Sequence, residues 1–264
     1  MSNENLRQLV AMSRNLADPG QDYVILGEGN SSARADADTF WVKASGVEMR
    51  TAEAGDFVQV RFEPVLALLE EGDLTDTEIR TRMETAKVEP SVTARPSVET
   101  VLHALALQLE GVNFIGHTHP TAINAFLCSQ KAEEVSSGRL FPDHIVYCGP
   151  ASVYVPYTDP GLPLARKVRD LVDQYIDQKQ EVPKTILMQN HGLIALGQTP
   201  REVEKITAMA VKAASVLQGT YAFGGPHFLS QQNVERIHTR PDEAYRRKGA
   251  GVVADAAAQA RHGT

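Results

Sequence analysis

Apolar positions recur along the chain with two spacings, one close to a helical turn and one of two residues, and the two kinds of segment alternate from end to end. Leu6, Leu9, Val10 and Leu16 fall on one stripe, so the spacing predicts an amphipathic helix over 3–17, stopped by Asp18-Pro19-Gly20. Short apolar runs at 23–26, 40–43 and 57–60 read as strands. Residues 63–71 and 76–86 read as two more polar helices, and 91–96 as a loop rich in Ser, Thr and Pro. A helix is predicted over 99–109, a strand over 112–116 and a helix over 120–130. Two strands, 145–148 and 153–156, flank the turn Gly149-Pro150. A long helix over 162–178 leads to a strand at 185–188 and an extended stretch at 193–196. The helix over 200–222 opens on Thr199-Pro200, and two weaker helical stretches, 230–237 and 241–260, form the tail.

Six or so strands interleaved with about as many helices predict an α/β architecture. No repeat, low-complexity tract or linker divides it, so residues 1–222 read as one domain and 223–264 as its helical tail.

Composition narrows the partners. The chain has 264 residues, 42% hydrophobic and 22% charged, as in ordinary globular proteins. The net charge of −7 argues against nucleic acid or an anionic membrane as the main partner, while leaving room for a small anionic substrate in a local pocket. Cys128 and Cys148 form no CxxC pair and no disulfide framework. The polar start Met1-Ser2-Asn3-Glu4-Asn5 carries no secretory pattern, and no apolar run approaches the roughly 20 residues of a membrane span. The expectation is a cytoplasmic protein.

The candidate chemistry sits where strands end. His117 and His119 lie in Gly116-His117-Thr118-His119-Pro120 after an apolar run. In an extended chain, residues two apart share a face, so both imidazoles can converge on one ion. An isolated His-x-His is more often one core and one surface histidine. His191, in Gln189-Asn190-His191-Gly192, also follows an apolar strand and changes those odds. Three neutral nitrogens are the ligand set of a catalytic zinc site with an open fourth position. His103, on a helix, reads as structural, and His144 is open to either reading.

Glu99, in Pro96-Ser97-Val98-Glu99-Thr100, has two readings. It is either a first-turn carboxylate favoured by the helix dipole, with Ser97 as N-cap, or a general base beside the metal. Ser97 at such a helix start can also contact a phosphate. Gly29-Asn30-Ser31-Ser32 and Ala44-Ser45-Gly46 are small polar turns suited to an anion cradle, though turns of this kind are common for local reasons. Gly27-x-Gly29 lacks the third glycine of a dinucleotide fingerprint.

Taken in order, Gly29-Asn30-x-Ser32, Lys43-Ala44-Ser45-Gly46, Pro96-Ser97-x-Glu99, His117-x-His119 and Asn190-His191-Gly192-Leu193 resemble the class II aldolase/adducin family over roughly residues 6–222. The resemblance implies a three-layer fold, with a central, mainly antiparallel or mixed β-sheet flanked by helices. It implies zinc, or another divalent ion, on His117, His119 and His191. Glu99 takes the acid/base position, and Asn30, Ser45, Gly46 and Ser97 take the phosphate-binding positions. It also implies a homotetramer with sites at subunit interfaces.

The family joins sugar-phosphate aldolases, 4-epimerases and dehydratases with the non-enzymatic adducins. The resemblance favours retro-aldol cleavage of a ketose phosphate to dihydroxyacetone phosphate and an aldehyde through a metal-stabilised enediolate. A decarboxylase of a phosphorylated keto acid draws on the same chemistry. Two departures stand out. Val98 replaces a second hydroxyl, and Phe141-Pro142-Asp143-His144 has no tyrosine where fuculose-phosphate aldolase takes an acid from the neighbouring subunit. Asp143 or His144 would have to substitute.

Overall fold

The computed structural model describes residues 2–72 and 74–242. Seven strands form one sheet: β1 (Asn30–Arg34), β2 (Thr39–Lys43), β3 (Phe57–Arg61), β4 (Phe114–Thr118), β5 (Val153–Val155), β6 (Thr185–Met188) and β7 (Gly192–Gly197). Their spatial order is β3-β2-β1-β4-β7-β6-β5. All pairs are antiparallel except β5 with β6, so the sheet is mixed, as expected.

Among the described residues, ten α-helices accompany it: α1 (Ser2–Leu16), α2 (Phe62–Glu70), α3 (Asp76–Ala86), α4 (Thr100–Leu107), α5 (Thr121–Leu127), α6 (Ala132–Ser136), α7 (Pro142–Cys148), α8 (Leu162–Lys179), α9 (Pro200–Thr220) and α10 (Gln231–Thr239). The helix α8 is the crossover that the parallel β5–β6 pair requires. The helical stretch expected over 241–260 lies almost wholly outside the described residues.

Strand parity sorts the core into two layers. Phe40, Val42, Val58, Val60, Ile115, Ile186, Ile194 and Leu196 face α2, α4 and α8. Ala33, Phe57, Phe114, Leu187, Leu193 and Ala195 face α1 and α9, meeting Leu9, Met12, Leu16, Val203 and Ile206. With helices on both faces, every residue of β6 and β7 is buried, and these strands read as continuous apolar runs.

Three local readings are corrected. Residues 23–26 form a loop: Leu26 has φ 51°, which no strand holds, and Ile25 and Leu26 are exposed. Residues 145–148 are helical within α7. Pro142 presets its first turn, and the Arg139 guanidinium takes the terminal carbonyls of Cys148 and Gly149 at 3.3 and 2.8 Å. A four-residue apolar run fits a buried helix as well as a strand, and the punctuation around it decides.

The third correction is β1, whose sequence NSSAR has no apolar alternation. It lies mid-sheet with both faces covered. Ser31 Oγ meets Ser13 Oγ of α1 at 2.6 Å, and Ser32 Oγ meets His103 Nδ1 of α4 at 2.7 Å. Small hydroxyls let both helices approach closely and give each buried polar atom a partner.

Close approach also explains Gly116. A Cβ there would stand 2.7 Å from Val203 Cγ1 and 2.8 Å from Leu16 Cδ1. Gly116→Ala is therefore expected to destabilise the protein by ~1–3 kcal/mol, the range for overpacking a tight core, read as a lower denaturant midpoint at unchanged slope. An unaltered midpoint would show that α1 and α9 yield freely.

Candidate metal centre and active site

The site forms where β1, β4 and the β6–β7 turn end on the α4 side of the sheet. Asn30 of β1 stands opposite His117 of β4, and His117 stands opposite Ile194 of β7. Parity puts Asn30, Ser32, Ile115 and His117 on the face covered by α4. His119 lies just past the strand, where its N–H donates to the Tyr23 carbonyl at 2.9 Å. The loop misread as a strand thus aims the second histidine. Asn190, at φ 54°, closes the tight turn that presents His191, whose N–H donates to Met188 O at 3.1 Å. Gly192 leaves room for the His119 ring: a Cβ there would sit 2.7 Å from His119 Cδ2 and 2.5 Å from Thr118 O.

His191 lies far from His117 and His119 in the sequence, and the fold brings the three together. Ring centroids are 4.7 Å apart for His117–His119, 4.9 Å for His117–His191 and 5.1 Å for His119–His191. One ligand nitrogen from each lies within 4.8 Å of the others. His117 Nδ1 is 3.0 Å from the Leu193 carbonyl, which only accepts, so Nδ1 carries the hydrogen. Burial, reinforced by the neighbouring histidines, pushes the His117 and His119 pKa values down to about 3, so both rings are neutral. His117 Nε2 is therefore a bare lone pair, and His119 Nε2 faces it at 3.0 Å.

Nitrogens on a tetrahedral zinc at bond lengths of 2.0–2.1 Å lie about 3.3 Å apart, so this spacing suits one shared cation. The carboxylate of Glu99 fronts the same point. Its Oε2 is 3.4 Å from His117 Nε2 and its Oε1 is 3.3 Å from His191 Nε2. Oε1 is buried without a hydrogen-bond partner, an arrangement that is costly unless a cation or proton comes to it. The donor set thus fits a divalent metal ion.

Glu99, not Ser97, is the N-cap of α4, and its carboxylate does not cap the helix. Instead it is turned toward the histidines. Asn30 Nδ2 donates to Glu99 Oε2 at 2.8 Å and to Ser97 Oγ at 3.2 Å, and Ser97 Oγ accepts from the Glu99 N–H at 3.3 Å. The Ala44–Pro96 bridge and the bond from Ser45 N–H to Arg95 O bring Ser45 and Gly46 alongside Ser97. Asn30, Ser97 and Glu99 are buried, whereas Ser45, Gly46 and Val98 line an open side. Behind this turn, buried Lys43 donates from Nζ to Val47 O and Ala44 O at 2.5 and 3.3 Å. Burial lowers the Lys43 pKa against the opposing attraction of Asp56 and Glu99.

Three participants escaped the sequence reading. Glu28 Oε1 approaches His119 Nδ1 at 4.0 Å. The Leu193 carbonyl, which orients His117, leaves no trace in side-chain identity. His103 contacts both Asn30 and Ser32. His144 lines a cavity beside Arg139, Cys148 and Phe228 that includes none of the metal-site residues. Burial and the Arg139 charge hold its pKa well below that of free histidine.

Comparison with known proteins bears on the fold and the family. A curated relative from Bacillus subtilis (strain 168), described as the uncharacterized oxidoreductase YuxG, is 26% identical over 196 residues, covering 71% of this chain. The chain spans only 26% of that protein's length. Among solved structures, the N-terminal class II aldolase domain of a conserved protein from Thermoplasma acidophilum is 27% identical. It superimposes with a TM-score of 0.63 over 80% of this chain and 92% of its own. An L-fuculose 1-phosphate aldolase, 17% identical, shares the fold at a TM-score of 0.68 over 93% of this chain and 98% of its own. The family model described as the class II aldolase and adducin N-terminal domain matches residues 7–217, and the protein belongs to that family.

Proposed function

We propose that the protein is a zinc-dependent lyase that cleaves a ketose phosphate by a retro-aldol reaction, releasing dihydroxyacetone phosphate and an aldehyde. The observation that carries this reading is the convergence of three imidazoles and one half-satisfied carboxylate on a single point beside an open polar turn. His117, His119 and His191 would hold the ion. Imidazole nitrogens suit zinc, and when bound it supplies a Lewis acid for the negative charge left on the substrate as a carbon–carbon bond breaks.

The chain's own groups do the rest. Glu99 holds and moves the proton, at the Oε1 that lacks a partner. The phosphate is received by Ser45 and Gly46, with Ser97 at the buried end of the cradle, held there by one N–H of Asn30. The enclosed floor excludes water from the reacting carbons, which strengthens each of these polar contacts. We place the reaction in the cytoplasm and in a homotetramer. A non-catalytic scaffold like adducin is disfavoured, because a protein with no cation to bind would gain nothing from three clustered imidazoles facing a buried carboxylate oxygen that has no hydrogen bond.

Metal analysis of the purified protein is expected to find about one zinc per chain, lost in a His117→Ala, His119→Ala double variant that still folds. A folded wild-type protein that takes up no divalent ion would favour the scaffold. With a panel of ketose phosphates, released aldehyde identifies a lyase. Interconverted epimers, loss of water or loss of carbon dioxide would each assign the same site to a different reaction. Glu99→Gln keeps the shape and removes the base, so turnover is expected to fall ~10²–10⁴-fold with zinc retained. Near-wild-type turnover would take the proton away from Glu99.

A further inference from the structure

Behind the carboxylate lies a buried histidine for which the proposed reaction has no direct use. His103 is on α4, fully enclosed, with both ring nitrogens engaged. Its Nδ1 is 2.7 Å from Ser32 Oγ, and its Nε2 contacts Asn30 Oδ1. The neighbours fix the Asn30 amide. Its Nδ2 faces Glu99 Oε2 at 2.8 Å, and a flipped amide would set two oxygens against each other. Asn30 Oδ1 can only accept, so His103 Nε2 carries a hydrogen. Burial pushes the His103 pKa down to about 3, leaving the ring neutral. Its Nδ1 then accepts from the Ser32 hydroxyl. The hydrogens from Ser32 to His103, from His103 to Asn30 and from Asn30 to Glu99 thus run in one direction, toward the carboxylate.

We propose that His103 is a positioning residue that acts through Asn30 to hold Glu99 with Oε2 anchored and Oε1 bare. The claim rests on the reading of Glu99 as the proton-moving group. Leucine would fill the space of a histidine that served packing alone, but it would strand Asn30 Oδ1 without its donor. A loosened Asn30 swings, and the carboxylate loses its one side-chain hydrogen bond near the histidines. The two N–H groups of Asn30 therefore have separate tasks, one on Glu99 and one on Ser97 beside the anion cradle.

The test compares zinc-loaded wild-type protein with His103→Leu, His103→Gln and Ser32→Ala. Nuclear magnetic resonance of the Asn30 side-chain amide reads the chain directly. His103→Leu is expected to speed hydrogen exchange of that amide about 10-fold or more, the sign of a lost anchor. Glutamine offers one donor and one acceptor at similar reach, so His103→Gln is expected to stay within about threefold. If His103→Leu does not fold, Ser32→Ala carries the test, with a smaller change in the same direction.

In turnover, His103→Leu is expected to lower kcat about 10- to 100-fold, as small misplacements of a reacting group do, with KM and bound zinc near wild type and recovery in His103→Gln. Unchanged amide exchange, or unchanged kcat in an active enzyme, would overturn the proposal. A loss shared equally by the leucine and glutamine variants would overturn it too, since it would mark a purely structural role. If wild-type protein turns over no ketose phosphate while the Asn30 amide responds as expected, the lyase reading fails and the positioning of Glu99 stands.

Discussion

The site depends on one register. In β1, β4 and β7, Asn30, His117 and Ile194 lie side by side across three strands. A slip of one residue in β4 would send His117 to the α1–α9 face and bring Gly116 to the α4 face. The register is secured by apolar neighbours on both sides of the sheet. Phe114 and Ile115 reach opposite core layers, and Gly116 is the one size that passes under Leu16 and Val203. The geometry of the candidate site is thus inherited from core packing at the neighbouring residues of β4.

Burial does the electrostatic work around that register. Histidines in water are partly protonated near neutrality, and a protonated ring cannot hold a metal. Enclosure and mutual repulsion keep His117 and His119 neutral, and the Leu193 carbonyl selects which nitrogen of His117 stays bare. The same enclosure makes a carboxylate oxygen without a hydrogen bond costly, yet Glu99 Oε1 has none and only faces His191 Nε2 at 3.3 Å. The left-handed Asn190 is a second local cost at the same candidate site.

Much of this was legible in the sequence. The long periodic helices, α1, α8 and α9, stood out because each presents one apolar stripe to the sheet. The three histidines were legible because each follows an apolar strand. The strand β1 was hidden because its partners are other polar groups, which leave no hydrophobic period. The helical state of α7 was hidden because a short apolar run carries no period of its own, and a distant-looking Arg139 holds its end. At the site, His103 looked like a packing residue because its role is set by the orientation of a neighbouring amide. Similarly, no side chain announces that the Leu193 carbonyl orients His117.

The central claim is that the imidazoles of His117, His119 and His191 hold one ion, and zinc-edge X-ray absorption of the zinc-loaded protein tests it most directly. The account predicts three imidazole nitrogens at about 2.0–2.1 Å, one or two further light atoms, and no sulfur. Sulfur in the first coordination sphere, or fewer than three imidazoles, would contradict it.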